Sequence, residues 1–218
     1  MASIDSMNEL LVDELRDIYD AEKRLTKAIP KLSKKATNDD LRDALDQHLQ
    51  ETEGQVARLE EAFGHLGEKV RGKPCAGMRG IIEEGNEHVG EDYGDDDLRD
   101  AVIIGSAQRV EHYEIAAYGT AIAHARLLEQ DEVVRLLEES LEEEKAADRK
   151  LTEIAESVVN LEAADAEDEG DEGELALVGA SVSRGRQSSS ARPRATASAR
   201  GKGSPASAGR TGGRSRSR

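Results

Sequence analysis

A glutamate in the middle of an otherwise apolar stripe is the feature that most restricts how this chain folds. The stripe alternates steps of four and three residues, which keeps its seven positions on one face of a helix. Those positions are Leu11, Leu15, Ile18, Glu22, Leu25, Ile29 and Leu32. A buried, unpaired carboxylate costs several kcal/mol or gives up its charge. The stripe therefore predicts a packed helix whose central carboxylate needs a partner.

Three later segments repeat this pattern, with apolar residues at both ends of the stripe and polar residues in its middle. The polar positions are His48, Thr52 and Gln55 with Glu51 at the stripe's edge, then Glu111, Glu114 and Tyr118, then Glu144 and Asp148. In a bundle of helices of similar length, the middles meet at one level. We therefore expect carboxylates from four helices to converge in the core.

Helix signals divide the first 160 residues into four long helices and one short one. The long helices are expected at about 7–35, 40–66, 94–128 and 131–159, and the short one at about 78–89. Pro30 is expected to kink or interrupt the first helix. Tight turns join the helices in two pairs, and about 30 residues connect the pairs. This layout favours an all-α, ferritin-like antiparallel four-helix bundle whose long crossover carries the short helix, with a simple up-down bundle as the alternative.

The composition is that of a helical protein without disulfides. Aromatic residues make up 2% of the chain and Trp is absent, so the core is built from Leu, Ile, Val and Ala, which argues against a β-sandwich. A single cysteine, Cys75, excludes an internal disulfide and a cysteine-based zinc or iron–sulfur site. The chain has neither a long apolar run nor a secretory signal, so we expect a cytoplasmic protein that makes no membrane contact.

Charge separates three regions, which we predict as a bundle at 1–160, an acidic linker at 161–180 and a disordered basic tail at 181–218. The whole chain has a net charge of −16. The tail contains ten basic and no acidic residues, so the remainder has a net charge of −26. A surface this acidic repels nucleic acid and suits a high-salt cytoplasm. The tail is rich in Ser, Gly and Arg and has too few apolar residues to form a core.

Convergent carboxylates on four helices predict a site for two metal ions about 4 Å apart. The candidate ligands are Glu22, Glu51, Glu111, Glu114, Glu144 and Asp148. Oxygen ligands favour iron, with manganese as a second possibility. His48 is a further ligand or a core histidine. Gln55 is expected to contact a metal ligand without binding the metal itself. Tyr118 is expected to donate a hydrogen bond to a ligand, to carry a radical, or to be an ordinary core tyrosine.

The same acidic cluster can also be explained without a metal. Asp and Glu account for 46 of the 218 residues, so some fall on any helix face. A buried group of carboxylates is also neutralised by protonation, by water or by an arginine from a neighbouring face. In that case the polar centre serves only to set the register of the bundle.

Four ordered motifs resemble those of the YciE/YciF-like family of the ferritin-like superfamily. They are Tyr19–Leu25, His48–Gln55, Gln108–Ala116 and Leu141–Asp148. The cysteine-bearing loop and short helix from Lys73 through Glu84 also resemble that family. The resemblance implies a rubrerythrin-like di-metal bundle, a homodimer and a role in bacterial and archaeal stress responses. The chain departs from the wider superfamily, which presents Glu-x-x-His on two helices. Gly54 and Ala147 occupy those histidine positions, so that Gln55, Asp148 or His48 would substitute.

Two functions follow from these observations, and they belong to different classes. The first is iron binding or redox chemistry with oxygen or peroxide at the carboxylate cluster. The second is a non-enzymatic, dimeric stress scaffold whose basic tail contacts nucleic acid by counterion release, or contacts partner proteins. No aromatic residue lies among the tail arginines, so base stacking is not expected.

Overall fold

The computed structural model describes residues 3–165, which form helices and contain no strand. The helices are α1 (Met7–Ser33), α2 (Asp39–His65), α3 (Ala76–His88), α4 (Asp96–Leu127) and α5 (Asp131–Ile154). A π-helical turn, Ala155–Val159, follows α5, and residues 160–165 remain helical. The predicted fold class is confirmed for this part of the chain. The basic tail and most of the acidic linker lie outside the described residues.

Short polar side chains determine where three of the long helices begin. Ser6, Asn38 and Asp95 each accept a hydrogen bond from a backbone N–H of the first turn of α1, α2 and α4, respectively. These caps satisfy N–H groups that have no partner inside the helix. At the other end, α1 continues through Pro30 to Ser33, so the proline does not interrupt the helix.

The four long helices pack as two hairpins around a core that is apolar at both ends. Helices α1 and α2 form one hairpin and α4 and α5 the other, with α1 against α4, α2 against α5, and α3 against α4 and α1. One apolar cluster contains Leu25, Leu45 and Ile104, and the other contains Leu15, Leu59 and Leu137. Along each long helix the polar middle separates the residues of one cluster from those of the other, which places the polar side chains in a layer inside the bundle.

A buried aspartate fastens the α1–α2 connection to the start of α4. Asp100 is fully buried. Its carboxylate accepts hydrogen bonds from the backbone N–H of Thr37 at 3.0 Å, from the Thr37 hydroxyl at 2.7 Å and from the backbone N–H of Asn38 at 2.6 Å. Since Asn38 caps α2, this one side chain links three helices at the same end of the bundle.

A second polar contact seats the short helix α3 on the bundle. The Tyr113 hydroxyl on α4 donates a hydrogen bond to Asp17 Oδ2 on α1 at 3.1 Å and lies 3.0 Å from Cys75 Sγ, which caps α3. Burial raises the pKa of the Cys75 thiol and that of Tyr113. A Cβ atom at Gly77 would lie 2.6 Å from the Tyr113 ring, so α3 approaches α4 this closely only because residue 77 is glycine.

Replacing Gly77 with alanine is therefore expected to destabilise the protein. The tyrosine ring is held by two polar contacts and must move, which costs about 1–2 kcal/mol, as overpacking does. Chemical denaturation measures the loss. Gly80→Ala is the matched control in the same helix, because nothing lies within 4 Å of its Cβ position. That change is expected to stabilise by about 0.5–1 kcal/mol. Equal effects of the two substitutions would show that the Tyr113 ring does not restrict the size of the side chain at position 77.

Within residues 3–165, the helices lack the combination of length and apolar character needed to cross a bilayer.

Candidate metal centre

Four buried side chains from three helices meet in the polar layer of the bundle. They are His48 on α2, Glu111 and Glu114 on α4, and Glu144 on α5. One ligand atom from each lies within 4.8 Å of all the others, which is the spacing of ligands around a single ion. The histidine is 5% exposed and the three glutamates are at most 1% exposed. We call these four residues the inner cluster.

Glu22 contributes a fourth buried carboxylate beside the inner cluster. It comes from α1 and is fully buried. The Tyr118 hydroxyl donates a 2.5 Å hydrogen bond to Glu22 Oε1, which leaves the other oxygen without a protein donor among residues 3–165. Burial raises the pKa of Glu22, and the neighbouring charge of Glu144 raises it further. Every long helix thus contributes at least one side chain to the polar layer.

The oxygens and nitrogens of this layer are poorly satisfied by the protein itself. Within the described part of the chain, the buried atoms without a hydrogen-bond partner include one oxygen each of Glu22, Glu111 and Glu144, both oxygens of Glu114 and both nitrogens of His48. Native proteins leave few such groups unpaired, because each costs about 1–3 kcal/mol or more when charged. Cations in the layer would satisfy the carboxylate oxygens and one nitrogen of His48, so the residues present fit a metal site.

Burial and mutual repulsion both act against the charged form of these carboxylates. Burial raises the pKa of Glu111 and of Glu114 well above the usual value. Glu144 and Glu22 raise them further by charge repulsion. Like charges within a few ångströms disfavour ionisation, whereas a bound cation favours it. Without a cation the layer therefore retains protons at a pH at which exposed carboxylates have lost them.

His48 is the least buried member of the inner cluster. Its Nε2 lies 3.3 Å from Glu111 Oε1 and 3.8 Å from Glu144 Oε2. Its Nδ1 lies on the other side, 3.6 Å from Glu51 Oε2. The imidazole is thus flanked by carboxylates on both of its nitrogens, which fits a ligand better than it fits a satisfied core histidine.

Two predicted ligands, Glu51 and Asp148, lie at the rim of the layer and outside the inner cluster. The Glu51 side chain is 25% exposed, accepts a 2.8 Å hydrogen bond from Gln47, and has a pKa lowered mainly by its contact with His48. Asp148 accepts a hydrogen bond from Gln108 at 3.1 Å and lies 3.4 Å from His112 Nε2. The structure therefore brings together Glu22, Glu111, Glu114 and Glu144, and adds His48 to them.

Comparison with known proteins agrees with this architecture. Residues 6–164 match the family described as "Domain of unknown function (DUF892)". The chain belongs to this family.

Relatives of this DUF892 chain confirm the predicted resemblance and the ferritin-like bundle. Protein YciF from Escherichia coli K12 is 42% identical over 159 residues, covering 72% of this chain and 95% of that protein. Its crystal structure, described as that of a stress protein, matches with a TM-score of 0.68 over 72% of this chain and 99% of that one. YcfI from Rhodopseudomonas palustris, described as a candidate structural protein, is 49% identical with a TM-score of 0.67, covering 69% of this chain and 95% of that one.

A third solved structure supports the fold alone. A Xanthomonas campestris protein is 21% identical to this DUF892 chain, with a TM-score of 0.59 over 74% of this chain and 99% of that one.

An arginine that the apolar stripes did not indicate supports the polar layer from outside. Arg58 is hydrogen-bonded to Glu143 and donates to Ser140 Oγ at 3.0 Å. Gln55 is fully buried and donates to both Glu143 and Glu144. The predicted role of Gln55 as a contact to a ligand agrees with this arrangement. Arg58 follows Gln55 by three positions on α2, one helical turn away, but this spacing does not indicate its contact with Glu143.

Proposed function

We propose that this protein binds two divalent transition-metal ions, iron or manganese, in the polar layer of its bundle. The inner cluster would hold one ion, and Glu22, together with the unused oxygens of Glu114 and Glu144, would hold the second. The observation that carries the proposal is the set of buried, unpartnered oxygens and nitrogens facing one another within a few ångströms. An arrangement that served only packing would have its polar groups satisfied.

The charge balance of the layer supports two ions rather than one. Four carboxylates are fully or almost fully buried, namely Glu22, Glu111, Glu114 and Glu144. Ionised, they carry four negative charges, which two divalent cations would neutralise. A buried site of zero net charge avoids the cost of an uncompensated ion in a medium of low dielectric constant.

The donor set favours iron or manganese among the available metals. Carboxylate oxygens with a single imidazole are typical of manganese and non-haem iron sites, and the described residues offer the cluster no thiolate. When bound, iron would supply electron transfer to oxygen or peroxide. The protein's own part is to hold and orient the ligands.

The residues around the layer position its carboxylates. Tyr118 fixes one oxygen of Glu22 and leaves the other free to face the cluster. Gln55 donates to Glu144, and Arg58 orients Glu143 beside it. The two apolar clusters close the layer at both ends. Such preorganisation strengthens electrostatic interactions in a site of low dielectric constant.

A role in stress responses is part of the same proposal, and it rests on the relative from E. coli that is described as a stress protein. The homodimer, the cytoplasmic location and contacts of the basic tail with nucleic acid or partner proteins remain predictions from the sequence. The scaffold alternative corresponds to the description of YcfI as a candidate structural protein.

Anaerobic titration of the apoprotein with Fe²⁺ tests the proposal. We expect two ions per chain, and we expect the combined Glu22→Ala and Glu144→Ala substitutions to remove both, because each removes a buried ligand. Glu53→Ala, at an exposed position of α2, is the control and should bind as the wild type does. Binding of less than one ion per chain, unchanged by the double substitution, would favour the scaffold. Oxygen or peroxide consumption by the loaded protein then tests the redox role.

A further inference from the structure

A cavity between α2 and α5 leads from the surface to the outer face of the inner cluster. It has a volume of about 230 Å³, enough for several water molecules or a hydrated ion. Ala44, Gln47, Ala147 and Lys150 form its walls, and His48, Glu51 and Glu111 also line it. The cavity therefore reaches two residues of the inner cluster and one residue of the rim.

Glu51 and His48 lie one after the other along this cavity, with Glu51 on the outer side. Glu51 is partly exposed and lies on the outer side of the imidazole, 3.6 Å from Nδ1. Nε2 of the same ring faces Glu111 on the inner side. Within residues 3–165 neither ring nitrogen has a hydrogen-bond partner, although the residue is 95% buried. A cation held by Glu51 would next meet His48 and Glu111, which line the same cavity and belong to the inner cluster.

We propose that the α2–α5 cavity is the route by which metal ions reach the buried layer, with Glu51 as a transient ligand and His48 as the first resident ligand that an entering ion meets. The inference rests on the proposed function. It assigns Glu51 a kinetic role, whereas the residues of the inner cluster and Glu22 set the affinity. An anionic side chain in a narrow, low-dielectric passage concentrates cations and speeds their association by about 10- to 1,000-fold.

The surroundings of Glu51 fit a passing ion better than a resident one. Gln47 donates to one of its oxygens, which orients the carboxylate toward the cavity. Among the described residues that line the cavity, Lys150 is the one cation, and its Nζ lies 3.6 Å from Glu153 Oε2. A second cavity, of about 30 Å³, also reaches His48 and Glu111, but its walls are mainly aliphatic, with Leu25, Ile29 and Ile81 among them. It is too small and too apolar to admit a hydrated ion.

Stopped-flow loading of the full-length apoprotein with Co²⁺ tests this route, because the absorption of the bound ion reports its coordination. Glu51→Gln is expected to slow loading at least about tenfold, with the final number of ions and the dissociation constant unchanged. Release to a chelator should then slow by the same factor, since loading and release share one barrier. Glu53→Gln removes the same charge from an exposed position nearby and should leave the rates unchanged.

A second pair of variants tests the passage without altering any charge. Ala147→Leu narrows the α2–α5 cavity and should slow loading, whereas Ala28→Leu narrows the small aliphatic cavity and should not. Wild-type rates in both Glu51→Gln and Ala147→Leu would overturn the route. A lower affinity or fewer bound ions in Glu51→Gln would overturn the transient role and make Glu51 a resident ligand. A wild-type protein that binds no Co²⁺, Mn²⁺ or Fe²⁺ would instead overturn the proposed function itself.

Discussion

Loading the apoprotein with Mn²⁺ is expected to raise its free energy of unfolding by about 5 kcal/mol. A ligand at 100 times its dissociation constant stabilises the folded state by about 2.7 kcal/mol, and the proposed layer takes two ions. The binding residues come from all four long helices, so the unfolded chain has no comparable site. Urea denaturation with and without Mn²⁺ measures the difference. Ca²⁺ serves as a control, because it prefers more oxygen ligands and longer bonds and should stabilise less.

The substitution Glu114→Gln is expected to stabilise the apoprotein and to reduce the further stabilisation by Mn²⁺. Both oxygens of Glu114 are buried and, among the described residues, unpartnered, and burial raises its pKa. The folded apoprotein thus binds more protons than the unfolded chain between the usual pKa and the raised one, so its stability falls as pH rises through that interval. The amide carries no charge. We therefore expect the apo variant to be more stable than the wild type at pH 8, and the gain from Mn²⁺ to be largely lost.

Two outcomes would count against this account. One is a Glu114→Gln apoprotein that is less stable than the wild type at pH 8, which would mean that the glutamate is satisfied by contacts that the amide cannot make. The other is a variant that keeps the full response to Mn²⁺. Glu53→Gln is again the reference, because it changes the net charge equally at an exposed site of α2.

Replacing Asp100 with alanine is expected to cost about 3 kcal/mol of stability. The Asp100 carboxylate is fully buried and accepts hydrogen bonds from two backbone N–H groups and one hydroxyl. The substitution removes the acceptor of all three donors. An unsatisfied buried donor costs about 1–3 kcal/mol, and bonds to a charged group are the stronger ones. Chemical denaturation measures the loss. Asp43→Ala, at an exposed position of α2, should change stability by no more than about 0.5 kcal/mol.

The position of Asp100 makes this test independent of the metal. It lies at the end of the bundle where α1 joins α2, and it precedes Glu111 of the inner cluster by 11 residues on α4, which is about 16 Å along the helix. Metal stoichiometry should therefore remain that of the wild type in the folded Asp100→Ala protein. A loss of stability below about 1 kcal/mol would show that the donors find other partners once the carboxylate is gone.

The fold was largely predictable because the apolar stripes are long and regular. Each stripe predicts which face of a helix is buried. The short turns and the long crossover predict which helices pack against each other. The stripes also indicated that Glu22, Glu111, Glu114 and Glu144 share one level. Those four side chains occupy central positions of their stripes, where a small error in helix phase still leaves a residue buried.

Two candidate ligands were harder to place. Glu51 was expected at the edge of its stripe and Asp148 in the middle of another, but the inward face of a packed helix is narrower than a stripe suggests, so both side chains lie at the rim. His48 lies on the stripe of α2 itself, and the structure adds it to the cluster. The pairing of Arg58 with Glu143 joins residues 85 positions apart, and a single sequence contains no signal for such a contact.

The π-helical turn at Ala155–Val159 allows the end of this helix to tolerate a small change in length. Buried positions on α5 advance from Leu151 to Ile154 and then by five residues to Val159, after which Ala163 continues the inward face. Such a turn accommodates one residue more than an α-helical turn does. An insertion or deletion of a single residue at this end can thus be absorbed locally, while Glu144, earlier in α5, keeps its phase toward the layer.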